Sequence, residues 1–93
     1  MINFGPRHPN PFNPTTTIKY QLPVSSKVHL KVYNLLGQVL ATLVDGVQQA
    51  GYQSVEWNTS DFASGIYFYR LDATSIADPS RTITQMKKAL LLK

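Results

Sequence analysis

From Thr16 to Leu22 apolar and polar positions alternate. Ile18, Tyr20 and Leu22 fall on one side, and Thr17, Lys19 and Gln21 on the other. A period of two with β-branched residues predicts a half-buried strand. Pro23-Val24-Ser25-Ser26 follows as a turn. Val28, Leu30 and Val32 then alternate with His29, Lys31 and Tyr33 in a second strand. Asn34-Leu35-Leu36-Gly37 is the next turn, with Gly37 free to take a positive φ. A third strand carries Val39, Ala41 and Leu43 on one face. Leu40 and Val44 on its other face point to cover on both sides, and Asp45-Gly46 closes it.

Ala50-Gly51 precedes a fourth strand, with Gln53, Val55 and Trp57 on one side and Ser54 and Glu56 on the other. Residues 58–65 read as a polar loop with room for one helical turn. Ile66 to Thr74 has the strongest strand pattern, its Tyr67, Tyr69, Leu71 and Ala73 facing one way. Ala77-Asp78-Pro79-Ser80 reads as a hairpin loop, from which Thr82 to Leu92 returns as a last long strand beside the preceding one. Six or seven short strands with turn signals between them predict an all-β chain. The expected architecture is an immunoglobulin-like antiparallel sandwich of about seven strands. Pro6, Pro9, Pro11 and Pro14 exclude helix from residues 1–14. This segment is expected to be an irregular lead-in that runs partly along the sandwich edge, with residues 15–93 forming the sandwich domain.

Composition narrows the function. The 93 residues amount to one domain. A domain of this size buries roughly 60–65% of its unfolded surface, enough for one core and too little for a deep enclosed site as well. With 43% hydrophobic and only 15% charged residues the chain is globular. It has no cysteine, which removes disulfides and thiolate metal sites. The net charge of +4 is spread along the chain, with Lys87-Lys88 the adjacent pair among the lysines and arginines. That reads as a solvated basic surface rather than a nucleic-acid stripe. No apolar run reaches membrane-spanning length. The start, Met1 to Pro6, lacks the pattern of a signal peptide, so an export signal is expected elsewhere.

Catalytic chemistry is not expected. His8 lies in the lead-in and His29 on a polar strand face, neither with an acidic neighbour in sequence. There is no nucleophile elbow, phosphate loop or zinc-helix motif. Asp45, Glu56, Asp61, Asp72 and Asp78 are dispersed without calcium-loop spacing. No cofactor, metal or small-molecule substrate is called for. Asn58-Thr59-Ser60 has the form of a glycosylation acceptor and is read as loop chemistry. Trp57, Tyr67 and Tyr69 share a register with Val55 and Leu71, which makes them core rather than a sugar-stacking strip. Phe68 and Arg70 then face outward, with Phe68 a candidate surface contact.

Four segments together resemble one family. His8-Pro9-Asn10-Pro11-Phe12-Asn13-Pro14 followed by Thr15-Thr16-Thr17-Ile18 resembles its opening "YPNPFNPxTTI". The stretch Val32 to Val39 resembles its "VYDxxGRxV" hairpin. Trp57-Asn58 and the stretch Gly65 to Leu71 resemble its "W/FDaS…LpSGIYfYRL" segment, and Lys87 to Lys93 its "KKMvLLK" ending. The family is the type A C-terminal sorting domain of the type IX secretion system of Bacteroidetes and related bacteria. An immunoglobulin-like domain of the flagellar hook-cap protein is a relative. The resemblance implies a non-catalytic module at the end of a larger secreted protein, recognised by the outer-membrane translocon after inner-membrane export. It also implies cleavage by a sortase-like peptidase and anchoring of the passenger to surface lipopolysaccharide; the domain itself is expected to be a monomer. The runner-up readings are a structural or spacer module of hook-cap type and a carbohydrate-binding module. The chain departs from the pattern at Ala89, where family members often carry Met, and in a lengthened hairpin over residues 76–81.

The last strand locates the expected signal. Ala89 and Leu91 fall on the inner face, surrounded by Leu90, Leu92 and the basic Lys87, Lys88 and Lys93. Outward apolar residues near a chain end tend to mark contacts, and an edge strand can receive a partner strand. Residues 87–93 are therefore the expected translocon-recognition element, with Lys93 as the natural end.

Overall fold

The structure is a computed structural model that describes residues 15–92. The lead-in of residues 1–14, with His8, and Lys93 lie outside the described residues. Six strands follow in order: β1 (Thr15–Leu22), β2 (Ser26–Tyr33), β3 (Val39–Gln48), β4 (Gly51–Asn58), β5 (Gly65–Ser75) and β6 (Thr82–Leu91). β1 and β4 pair in one sheet, and the other has the order β3-β2-β5-β6. All pairings are antiparallel. The chain changes sheet between β1 and β2, between β3 and β4, and between β4 and β5. This brings β2 beside β5, which is not its neighbour in sequence. The C, F and G strands of an immunoglobulin-type sandwich succeed one another in the same way.

Alternation builds the core as expected. Ile18, Tyr20 and Leu22 of β1 and Trp57 of β4 face Val28, Leu30 and Val32 of β2 and Tyr67, Tyr69, Leu71 and Ala73 of β5. Ala89 and Leu91 of β6 complete the cluster. Each fully buried aliphatic or aromatic side chain contributes about 1.5–3 kcal/mol relative to its exposed state. Trp57 is the hub of an aromatic group, meeting Phe62, Tyr67 and Tyr69 edge-to-face with ring centroids 5.3, 5.6 and 5.6 Å away. Its indole N–H has no hydrogen-bond acceptor among the described residues.

Two polar ties close the sandwich. Tyr67 donates its hydroxyl to the Ala63 carbonyl at 2.6 Å, four residues upstream, as the tyrosine corner of immunoglobulin-type sandwiches does. Tyr20 of β1 donates to Gln48 Oε1 at the end of β3, joining the two sheets. Burial pushes the Tyr20 phenol above its ordinary pKa, and the Gln48 hydrogen bond offsets only part of that rise.

β3 departs from the expected pattern. Its register against β2 slips twice, passing over Leu43 between Val44 and Thr42, and over Leu40 between Ala41 and Val39. These are β-bulges, each placing two residues of β3 against one of β2. Consecutive Leu43 and Val44 thus both pack against the core beside Ala41. Val39, expected inward, lies opposite outward-facing Tyr33 and is half exposed. Cover on both sides does not occur among the described residues: their two sheets cover only one face of β3, Val44 packs on that face, and Leu40 stays 37% exposed. Nor does Asp45-Gly46 end it, since pairing runs on to Gln48 opposite Ser26. Residues 58–65 form a turn in which Phe62 N–H donates to the Thr59 carbonyl at 3.0 Å, with no helix.

Candidate functional site

The expected recognition residues sit on and just beyond β6. Pairing of β6 with β5 sets Tyr69 opposite Lys87, Phe68 opposite Lys88, Tyr67 opposite Ala89, Ile66 opposite Leu90 and Gly65 opposite Leu91. Paired residues share a face of the sheet. The seven residues therefore divide. Lys87, Ala89 and Leu91 lie on the core-facing line, and Lys88 and Leu90 on the outer face. Ala89 and Leu91 are buried, whereas Leu90 is 48% exposed and Leu92, just past the strand, is 60% exposed. Lys87 is exposed despite its core-facing position. Lys93 lies outside the described residues. Among the described residues β6 is the outermost strand at its end of the sheet.

Phe68 is on the outer face, as its place in the alternation implies, but it is half-buried rather than bare. The row that contains it runs Val39, Tyr33, Phe68, Lys88 across all four strands. The next row is Thr42, Lys31, Arg70, Met86. At the end of these rows the β2–β3 hairpin folds tightly. Gly37 takes φ +79°, and its N–H donates to the Asn34 carbonyl at 3.0 Å. Asn34 Oδ1 accepts from the N–H groups of Leu36 and Gln38 at 2.9 and 3.0 Å. The result is a rigid tip that projects Leu35 and Leu36 into solvent, Leu36 at 83% exposure. Between tip and sheet lies an open hollow of about 270 Å³ lined by Tyr33, Asn34, Leu35, Gly37, Phe68, Arg70 and Met86. Reading single segments missed this hollow, because three separate strands and a turn build it.

The remainder of the outer face carries polar pairs, with Val47 exposed opposite Lys27 at its far end. His29 Nε2 lies 3.0 Å from Asp45 Oδ1 across β2 and β3, an acidic partner that sequence proximity did not reveal. Arg70 Nε lies 3.1 Å from Asp72 Oδ2, and Thr84 Oγ1 donates to Asp72 Oδ1 at 2.6 Å. These are exposed or half-exposed pairs of the kind that contribute about 0–1 kcal/mol each. Among the described residues no group of three or more His, Asp or Glu side chains is placed to hold a metal ion. A second hollow of about 200 Å³ lies at the other end, between Pro23, Val24, Arg81 and Ile83. Trp57, Tyr67 and Tyr69 are core, so the sugar-stacking strip considered for them has no exposed surface.

Comparison with known families agrees with this architecture. No curated protein matches the chain. The family described as the secretion system C-terminal sorting domain matches residues 8–85, which spans the opening motif, both sheets and the first part of β6. The sandwich and a match over most of the chain lead to one conclusion: the chain belongs to the C-terminal sorting domains of type IX secretion, the tails that mark proteins for passage across the outer membrane to the cell surface or beyond.

Proposed function

We propose that this domain is read by the outer-membrane translocon through the outward residues of its final strand. In this reading Lys88, Leu90 and Leu92 make the contact, while Ala89 and Leu91 anchor the strand in the core. Lys87 and Lys93 add positive charge on either side. A sortase-like peptidase then separates the domain from its N-terminal passenger, which is anchored at the surface. The observation that carries the reading is Leu90, 48% exposed between two buried neighbours on an otherwise regular strand. Leu92, 60% exposed just beyond it, extends the apolar surface at the strand's end, and contiguous exposed apolar surface of this kind marks interaction sites.

The test is export of a fluorescent passenger fused to residues 1–93 in a type IX-secreting bacterium. Deleting residues 87–93 would remove Ala89 and Leu91 from the core as well, mixing folding with recognition. The informative variant is Leu90→Asp with Leu92→Asp, which leaves the core intact. Export is expected to fall about tenfold or more, the loss that removing a central contact brings. Undiminished export of a variant that still melts cooperatively would overturn the proposal. Cleavage is checked by the mass of the exported passenger, which should lack the domain.

A further inference from the structure

The exposed Leu90 and the hairpin hollow belong to one continuous surface. Leu90 pairs with Ile66, and the adjoining row on the same face holds Phe68 and Lys88. Phe68 and Met86 form the sheet side of the hollow, and Leu35 and Gly37 form its tip side. The apolar surface thus runs from Leu90 through Phe68 and Met86, the latter 58% exposed, to the bare Leu35 and Leu36.

Charge decides what kind of partner this surface fits. Lys31, Arg70 and Lys88 stand in the two rows beside the hollow. Among the described residues of these rows there is no carboxylate, and Asp72, in the next row, meets Arg70 alone of the three cations. Apolar ground edged by cations suits an apolar knob edged by carboxylates. A second copy of the chain would set these cations against each other. The volume of about 270 Å³ is below the ~300–1,000 Å³ usual for small-molecule sites and suits one inserted side chain.

We propose that the hollow beneath the Asn34–Gly37 hairpin, together with Leu90, is one composite docking surface for an acidic protein partner, which seats an aliphatic or aromatic side chain between Phe68, Met86 and Leu35. The proposal rests on the reading that the last strand is recognised during export, and enlarges it. The signal is then a folded surface drawn from β2, β5 and β6 and the hairpin, rather than a terminal peptide.

The passenger fusion tests this with three variants: Leu36→Asp with Met86→Glu, the triple reversal Lys31→Glu, Arg70→Glu and Lys88→Glu, and Tyr52→Glu as a control on the outer face of β4. Each is first shown to keep the melting temperature of the parent domain. Export of the first two is expected to fall about tenfold or more, with the control unchanged. A photo-reactive p-benzoyl-phenylalanine at position 36 is expected to cross-link, in exporting cells, to one protein through a peptide rich in Asp and Glu. The triple reversal should abolish that cross-link. If the hollow variants export normally while Leu90→Asp with Leu92→Asp does not, the composite surface is overturned and the terminal-strand reading stands. If all of them export normally, both fall. Cross-linking to polysaccharide or to a second copy of the domain, or a loss in the Tyr52→Glu control equal to that of the hollow variants, would also overturn the proposal.

Discussion

At the scale of single residues, Trp57 and the two tethering tyrosines bear most on stability. Trp57 is fully buried against three other rings, so Trp57→Ala opens a large cavity. A loss of about 3–5 kcal/mol is expected in urea unfolding. Tyr67→Phe removes only the hydroxyl that reaches Ala63 and is expected to cost about 0.5–1.5 kcal/mol. Tyr20 makes a prediction about pH. Its folded pKa is raised above the ordinary 10.0. Below pH 10 both folded and unfolded states keep the proton, and the stability is whole. As pH rises past 10 the unfolded chain ionises first, and stability is lost until the folded pKa is passed. Alkaline unfolding of the parent should therefore steepen above pH 10 relative to Tyr20→Phe. Equal slopes would show that the phenol is not held neutral. The inward placement of these rings was legible from alternation alone. Their polar partners were not, because Gln48 lies on a different strand from Tyr20 and the Ala63 carbonyl belongs to a loop whose path no local pattern sets.

At the scale of elements, β1, β2, β4 and β5 were readable because their inner sides are more buried than their outer sides, and β6 because Ala89 and Leu91 do the same at its end. β3 was not, for two physical reasons. Its bulges at Leu43 and Leu40 break the period of two, so that neighbouring residues turn the same way. Val39, Leu40 and Val47 are also exposed, on a strand that the other sheet covers on one face at most, and apolar residues there imitate a buried strand. Asp45-Gly46 has turn chemistry, yet an edge strand tolerates it, and Asp45 is used against His29. The hairpin before β3 is the element most open to test. A Cβ on Gly37 would meet nothing within 4 Å, so only the backbone opposes a side chain there. Gly37→Ala is expected to lose about 1–2 kcal/mol, and Gly37→Asn less, because Asn tolerates the left-handed region. If the docking surface is as inferred, Gly37→Ala should lower export more than its melting temperature accounts for.

At the scale of the whole molecule, the chain divides its labour between two faces of one sheet. The inner face makes a core of the size a small domain can support without cysteine. The outer face carries polar pairs at one end and an apolar, cation-edged surface at the other. The last strand contributes to both, which is why its seven terminal residues could be singled out in the sequence while their separation onto two faces awaited the pairing with β5. The hollow was illegible for a related reason. Phe68, Met86 and Leu35 are far apart along the chain, and only the β2–β5–β6 register brings them together. Membership of the sorting-domain family sets the central claim, that this chain directs a protein across the outer membrane. The most direct measurement fuses residues 1–93 behind a fluorescent passenger that carries its own inner-membrane export signal. Fluorescence is then compared outside a type IX-secreting strain and its translocon-deficient derivative. The account predicts fluorescence outside the first strain and retention in the periplasm of the second. Retention in both, or equal release from both, would contradict it.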